Sequence, residues 1–458
     1  MKVIRWLLFL LVLVGLLLLV RPDDAITPSF VQRADEFRAS IDYGAAADYL
    51  RVALQRQPWN ATLHLRLAFI LSLQGHEVEA QQVLTEAERL GAAAHNVEYL
   101  RAQWAQQAGR YTEAAQHWQN VVELLPVDES IYFHAVESAV QAEQWDLARS
   151  TAERWVAALN SEEAHLTLGK LLAFDDPAAA QAQWQLSSDV LAQPFLQAVQ
   201  QPDRTLRLML LGRAYLAQTD LGQDYLMLAQ RAFDEAVAIN PAYAEAQTFA
   251  GFVRDQRGAD GGAWLDRAVE LDPNLIVARY FRARHRWERA DLGGALDDLN
   301  YAIERDPANA LIAAEIGRVY TQRSDFAQAE QWLTKARDLK PQGVAIWKSL
   351  AELYVGRSYG TPDQAVATAQ QIVTFAPTEA EAHVWLGRAY LRSNDRGGAE
   401  RELTEAARLE PYSALVHFYL GRLYGGETEA GRVEYQRALS LDPAGPIGLA
   451  AQRVLELP

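Results

Sequence analysis

Five arginines each stand directly after a small residue: Arg213 after Gly212, Arg284 after Ala283, Arg318 after Gly317, Arg388 after Gly387 and Arg422 after Gly421. A guanidinium presents a rigid fork of donors that suits carboxylates and other oxyanions. Tyr280 and Phe418 precede Arg284 and Arg422 by four residues, which on a helix puts each pair on one stripe. Such a ladder with aromatic shelves would take an acidic peptide or an anionic glycan. Its bland rival is that Leu-Gly-Arg-Ala-Tyr is simply a common phrase in an arginine-rich chain. Catalytic signals are weaker. Gly356-Arg357-Ser358-Tyr359-Gly360 spells the nucleophile-elbow pattern, but that motif needs a strand before the serine and a helix after it, and the surroundings read as helix, turn, helix. The histidines are scattered singly, and His383 and His417 fall at equivalent places in successive segments, which suits packing better than metal binding. There is no phosphate-cradling loop and no dinucleotide fingerprint.

These residues are set out by a period. Pro241, Pro273, Pro307, Pro341, Pro377, Pro411 and Pro443 are separated by 32, 34, 34, 36, 34 and 32 residues. Proline lacks the N–H that a helix interior requires, so each one punctuates a unit. A small residue recurs about 24 positions before the unit's end, at Ala34, Ala68, Ala102, Ala283, Gly317 and Gly387, with Gly251 and Gly421 slightly shifted. A second follows about 12 later, at Ala46, Ala80, Ala114, Ala148, Ala295, Ala329 and Ala399. Close approach of two helices needs small side chains, and the spacing fits two antiparallel helices joined by a short turn. Trp347, Leu350, Ala351 and Tyr354 supply the i, i+3, i+4, i+7 apolar face of such a helix.

The pattern resembles the tetratricopeptide repeat family, best at Leu211-Gly212 with Tyr215, Ile316-Gly317 with Tyr320, Leu386-Gly387 with Tyr390 and Leu420-Gly421 with Tyr424. The resemblance spans about residues 27–445. It implies an all-α fold, a right-handed α-α superhelix of about twelve helix-turn-helix repeats, whose first helices line a concave groove. The arginine stripe would then face that groove. The family's chaperone-tail clamp needs lysine and asparagine at set first-helix places, and that set is missing. Neighbouring hairpins bury one another's apolar faces, so stability is nearly a sum over units and interfaces.

The formal net charge of −16 argues against a nucleic-acid partner, which would call for a basic footprint. On a helical stack the acidity mostly solvates the outer face. The chain contains no cysteine, which excludes disulfides and thiolate zinc sites. Lys2 and Arg5 precede an unbroken apolar run from Trp6 to Val20, and Arg21 follows it. Fifteen residues rise about 22 Å as a helix, so snorkelling arginines would have to extend the span across a core of roughly 30 Å. No convincing cleavage site follows, which favours a signal anchor over a cleaved signal peptide. The basic residues place the N-terminus inside and the repeats outside the cytoplasm, in the periplasm or beyond.

The expected organisation is an anchor at 1–26, an N-terminal stack at 27–192, an irregular joint at 193–205, a C-terminal stack at 206–445 and a capping helix at 446–458. The expected function is a membrane-tethered protein-interaction scaffold in cell-envelope assembly or biogenesis, binding a protein or peptide partner of acidic character. The alternative is an accessory of envelope polysaccharide synthesis or export, for which exposed groove tryptophans would speak. Trp104, Trp118, Trp332 and Trp347 sit instead at core-type positions. Nothing outside the repeats is long enough for a catalytic domain, so no enzyme, cofactor or metal is expected.

Overall fold

The computed structural model describes residues 22–39, 42–187 and 192–456, and every regular element in them is helical. The apolar N-terminal run lies outside the described residues; only the end of the expected anchor enters the helix Pro22–Ala39. Among the described residues no helix is long and apolar enough to cross a membrane. Twelve helical hairpins follow one another from Pro22 to Leu441, and a final helix spans Pro446–Leu455. They fall into two compact units, one ending at Asn240 and one beginning at Pro241. This boundary lies beyond the stretch expected as the joint. Residues 193–205 instead hold a helix, Gln193–Val199, with Pro194 in its first turn, where its missing N–H does no harm. Its Phe195 is fully buried, with ring centroids 5.4 Å from Trp184 and 4.9 Å from Tyr215.

Six hairpins share one contact, in which a glycine of the first helix lies beneath a large residue of the second. A Cβ built on Gly317 would stand 2.6 Å from Leu333 Cγ, on Gly387 2.7 Å from Leu403 Cγ, and on Gly421 2.9 Å from Tyr435 Cγ. Gly212 lies likewise under Phe233, Gly169 under Trp184 and Gly251 under Leu265. The second small residues, Ala46 through Ala399, are all fully buried, as expected from the spacing.

Turn geometry repeats with the same register. In seven hairpins the residue seven after the small site has a positive φ: Gly75, Gly109 and Gly258 at 77°, 70° and 75°, but also Ala290, Ser324, Ser358 and Asn394 at 63°, 62°, 57° and 62°; Glu143, at 58°, takes the same turn seven after Val136. The next residue is in several hairpins an aspartate that caps the second helix: Asp42, Asp291, Asp325 and Asp395 each accept from a backbone N–H three residues on. One hairpin departs from the rule. Its helix Val344–Ala351 widens into a π-helical turn, Glu352–Gly356, and two extra residues, Tyr359 and Gly360, lie between the turn residue Ser358 and the Thr361 cap of the partner helix Pro362–Phe375.

The terminal prolines have a partner as well. In six repeats the side chain six residues after the proline donates to its carbonyl: His64 to Pro58, Gln247 to Pro241, Arg279 to Pro273, Trp347 to Pro341, His383 to Pro377 and His417 to Pro411, at 2.7–3.0 Å. The carbonyl only accepts, so each histidine Nε2 is the donor. Nδ1 of His383 and of His417 meets Glu402 and Glu434 at 2.8 and 2.6 Å. The periodic histidines therefore tie the end of one repeat to the first and second helices of the next.

Opposite signs are expected from two single changes, read as shifts of the urea midpoint of helical circular dichroism. Gly317→Ala should destabilise by about 1–3 kcal/mol through overpacking against Leu333. Ala290→Gly should stabilise by about 0.5–1 kcal/mol, because alanine pays about 1–2 kcal/mol for the left-handed conformation and glycine does not; the flexibility of glycine in the unfolded chain offsets part of this.

Candidate functional site

The residue after each small site lies one step around the helix from the packed contact, which brings it off the hairpin interface. Arg213, on Arg204–Leu216, is exposed in the first unit. Arg284, Arg318, Arg388 and Arg422 lie on four first helices of the second unit: Ile276–Glu288, Ala310–Gln322, Ala380–Arg392 and Ala414–Tyr424. The structure divides these four by what else holds them.

Arg318 lines a cavity of about 610 Å³ whose wall comes chiefly from first helices, including Trp287, Leu311, Glu315, Ile346 and Lys348. Its guanidinium lies 4.6 Å from the Trp287 ring centre and donates to Glu315 at 2.9 Å. Lys348 in the same wall reaches Glu379 and Glu381 at 3.0 and 2.6 Å. Tyr280 donates to Glu315 at 3.4 Å, and burial, assisted by that carboxylate, pushes its hydroxyl pKa up to about 12. Arg284 sits 3.8 Å from Glu288 and over the ring of Phe252 rather than Tyr280, 5.7 Å from its centre. The cations of this part of the face are thus matched by neighbouring carboxylates.

The other two line a cavity of about 370 Å³ with Val355, Ser358, Leu391, Arg392 and Tyr419. Arg388 lies 4.1 Å from the Trp385 ring centre and 5.0 Å from that of Tyr419; Arg422 lies 5.6 Å from Tyr419. Among the described residues neither makes an ion pair. Burial chiefly, with the like charge of Arg422, holds the Arg388 guanidinium below its usual range despite the pull of Tyr419, Glu352 and Glu381. Arg392 is fully engaged: it donates to the carbonyls of Tyr354, Ser358, Tyr359 and Gly360, tying down the widened turn. Phe418 packs edge-on against Tyr435 at 5.5 Å and serves the hairpin interface. The shelves that sequence reasoning missed, Trp385 and Tyr419, stand three residues before Arg388 and Arg422, the other spacing that shares a helix face.

Ser358 occupies the positive-φ turn position that recurs in the other hairpins, and a π-helical turn rather than a strand precedes it. The elbow pattern is a hairpin turn. Asp255, Asp260 and His285 converge within 4.8 Å, but Arg289 approaches the two carboxylates to 3.7 and 3.2 Å. Backbone N–H groups of Gly261 and Gly262 also donate to them, which makes the group a clasp of the turn. Asp298 is buried and receives Arg279, Arg282 and Arg286 at 3.0, 2.7 and 2.9 Å.

Stacked helical hairpins with a polar, aromatic-shelved first-helix face make up the second unit. Residues 280–344 and 386–446 match the family model described as "Tetratricopeptide repeat", which supports the tetratricopeptide-repeat family. Proteins of this family generally mediate protein–protein interaction on a fold that is typically non-catalytic. No curated protein matches the chain. Among solved structures it is similar to the APC/C hetero-tetramer Cut9–Hcn1, with 14% identity over 96% of this chain and 98% of that one and a TM-score of 0.42. The yeast Tom70 structure gives 15% identity over 94% and 95%, with a TM-score of 0.43. A tetratricopeptide repeat protein from Parabacteroides merdae gives 16% over 55% of this chain and 98% of that one, also with a TM-score of 0.43.

Removing the anion at the centre of the arginine cluster should be costly. Asp298→Ala leaves three half-buried guanidiniums facing one another, and a loss of about 3 kcal/mol is expected in chemical denaturation.

Proposed function

We propose that this protein is a membrane-tethered scaffold whose second unit binds a segment of a partner protein along its first-helix face, in assembly or biogenesis of the cell envelope. The observation that carries the reading is the pair Arg388 and Arg422, cations held on aromatic rings beside a cavity with no ion-pair partner among the described residues. The larger cavity around Trp287 and Ile346 offers apolar contact alongside. Together they suit a peptide with acidic and apolar side chains, bound by many modest contacts. The apolar run from Trp6 to Val20 behind Lys2 and Arg5 supports the tether, with the repeats outside the cytoplasm. The glycan alternative draws less support: Trp287 and Trp385 both carry a guanidinium on the ring.

Site-specific photo-crosslinking in intact membranes tests this. A crosslinker at Ser349, in the wall of the larger cavity, should capture a discrete partner, while one at Arg437, exposed on a second helix, should not. Capture should fall steeply with added salt, since exposed charges are screened over about 10 Å at 0.1 M. Equal labelling from both positions would remove the groove assignment. A reporter fused after Pro458 should be active only outside the cytoplasm.

A further inference from the structure

The geometry points to a phosphoryl-group seat between Arg388 and Arg422, taking a phosphorylated side chain of the bound partner segment. This deepens the groove reading above and rests on it. The cavity of about 370 Å³ exceeds what a lone carboxylate needs. The carboxylates nearest in influence to Arg388 are Glu352 and Glu381, and both are engaged elsewhere, Glu352 with Arg357 at 3.1 Å and Glu381 with Lys348 at 2.6 Å. Arg392 contributes its charge to the same wall while its N–H groups are taken up by turn carbonyls. Two guanidiniums therefore remain without an ion pair to any protein anion among the described residues, 5.0 and 5.6 Å from the Tyr419 ring centre. Ring stacking fixes the plane of a guanidinium and leaves its edge for in-plane acceptors.

Charge matching selects the ligand. A single carboxylate balances one guanidinium and leaves the other, the half-buried Arg388 or the exposed Arg422, facing a like charge. A phosphate monoester carries about −1.5 to −2 at neutral pH and three acceptor oxygens, enough for both forks at once. The Ser358 hydroxyl in the same wall adds a neutral donor. Val355 and Gly356 of the π-helical turn, with Ser358 after it, form the edge of the cavity.

The test uses the full chain and immobilised peptide pools of random sequence with one fixed central residue: phosphoserine, glutamate or serine. The phosphoserine pool should be retained at least tenfold better than the other two, and inorganic phosphate should elute it. Arg388→Gln and Arg422→Gln should each reduce retention about tenfold, whereas Arg437→Gln should leave it unchanged; circular dichroism verifies that each variant is folded. Arg388→Lys should restore little, because an ammonium cannot donate in a fork. Equal retention of the glutamate and phosphoserine pools would overturn the seat in favour of a carboxylate site, and so would retention indifferent to both arginine changes. Crosslinking from Ser349 that survives phosphatase treatment of the partner would sink this inference while the groove reading stands; loss of that crosslink in untreated membranes would sink the groove reading itself.

Discussion

Everything in the stack depends on a small residue of one helix lying beneath a large residue of the next. The contact explains the insertions and deletions, which otherwise look like noise in the period. Gly317 meets Leu333 and Gly387 meets Leu403, each sixteen residues on. Gly251 and Gly421 meet Leu265 and Tyr435 fourteen residues on, and both lie in the units whose prolines are 32 apart. Gly212 meets Phe233 after twenty-one, the unit with the long turn. Chain length varies in the turn while the packed pair is kept, because a turn tolerates added residues and a close helix contact does not.

That is also why the fold was legible. Prolines, small residues and apolar stripes are backbone and packing requirements, and they recur wherever the backbone recurs. Side-chain chemistry was less so. His383 and His417 could be recognised as equivalent, yet their role needed the carbonyls of Pro377 and Pro411, which a sequence does not place. Gln247, Arg279 and Trp347 fill the same role with unrelated side chains, so no residue-type pattern announces it. The requirement is an N–H donor at one place, and several side chains supply one.

The arginines show the opposite failure. Five equivalent positions suggested one ladder, but equivalence in register is not equivalence in surroundings. Arg318 has Glu315 one turn before it, whereas the matching place before Arg388 is Trp385. The same helical offset therefore yields an ion pair in one repeat and a stacked, desolvated cation in another. Rings at i−3 were visible in the sequence; that they would carry the guanidiniums in place of Tyr280 and Phe418 depended on how neighbouring repeats meet, as when Arg388 reaches Tyr419 of the next first helix.

The two-residue insertion links the packing rule to the site. With Ala351 at the small position, Ser358 keeps the left-handed turn seven residues later as in the regular hairpins, and the two added residues, Tyr359 and Gly360, follow it before the Thr361 cap. The loosened turn turns several carbonyls outward, and Arg392 gathers them. Glu352, at the start of the same turn, closes on Arg357. Arg388 and Arg422 meet no such partner among the described residues, so the positive charge beside this hairpin stays unbalanced.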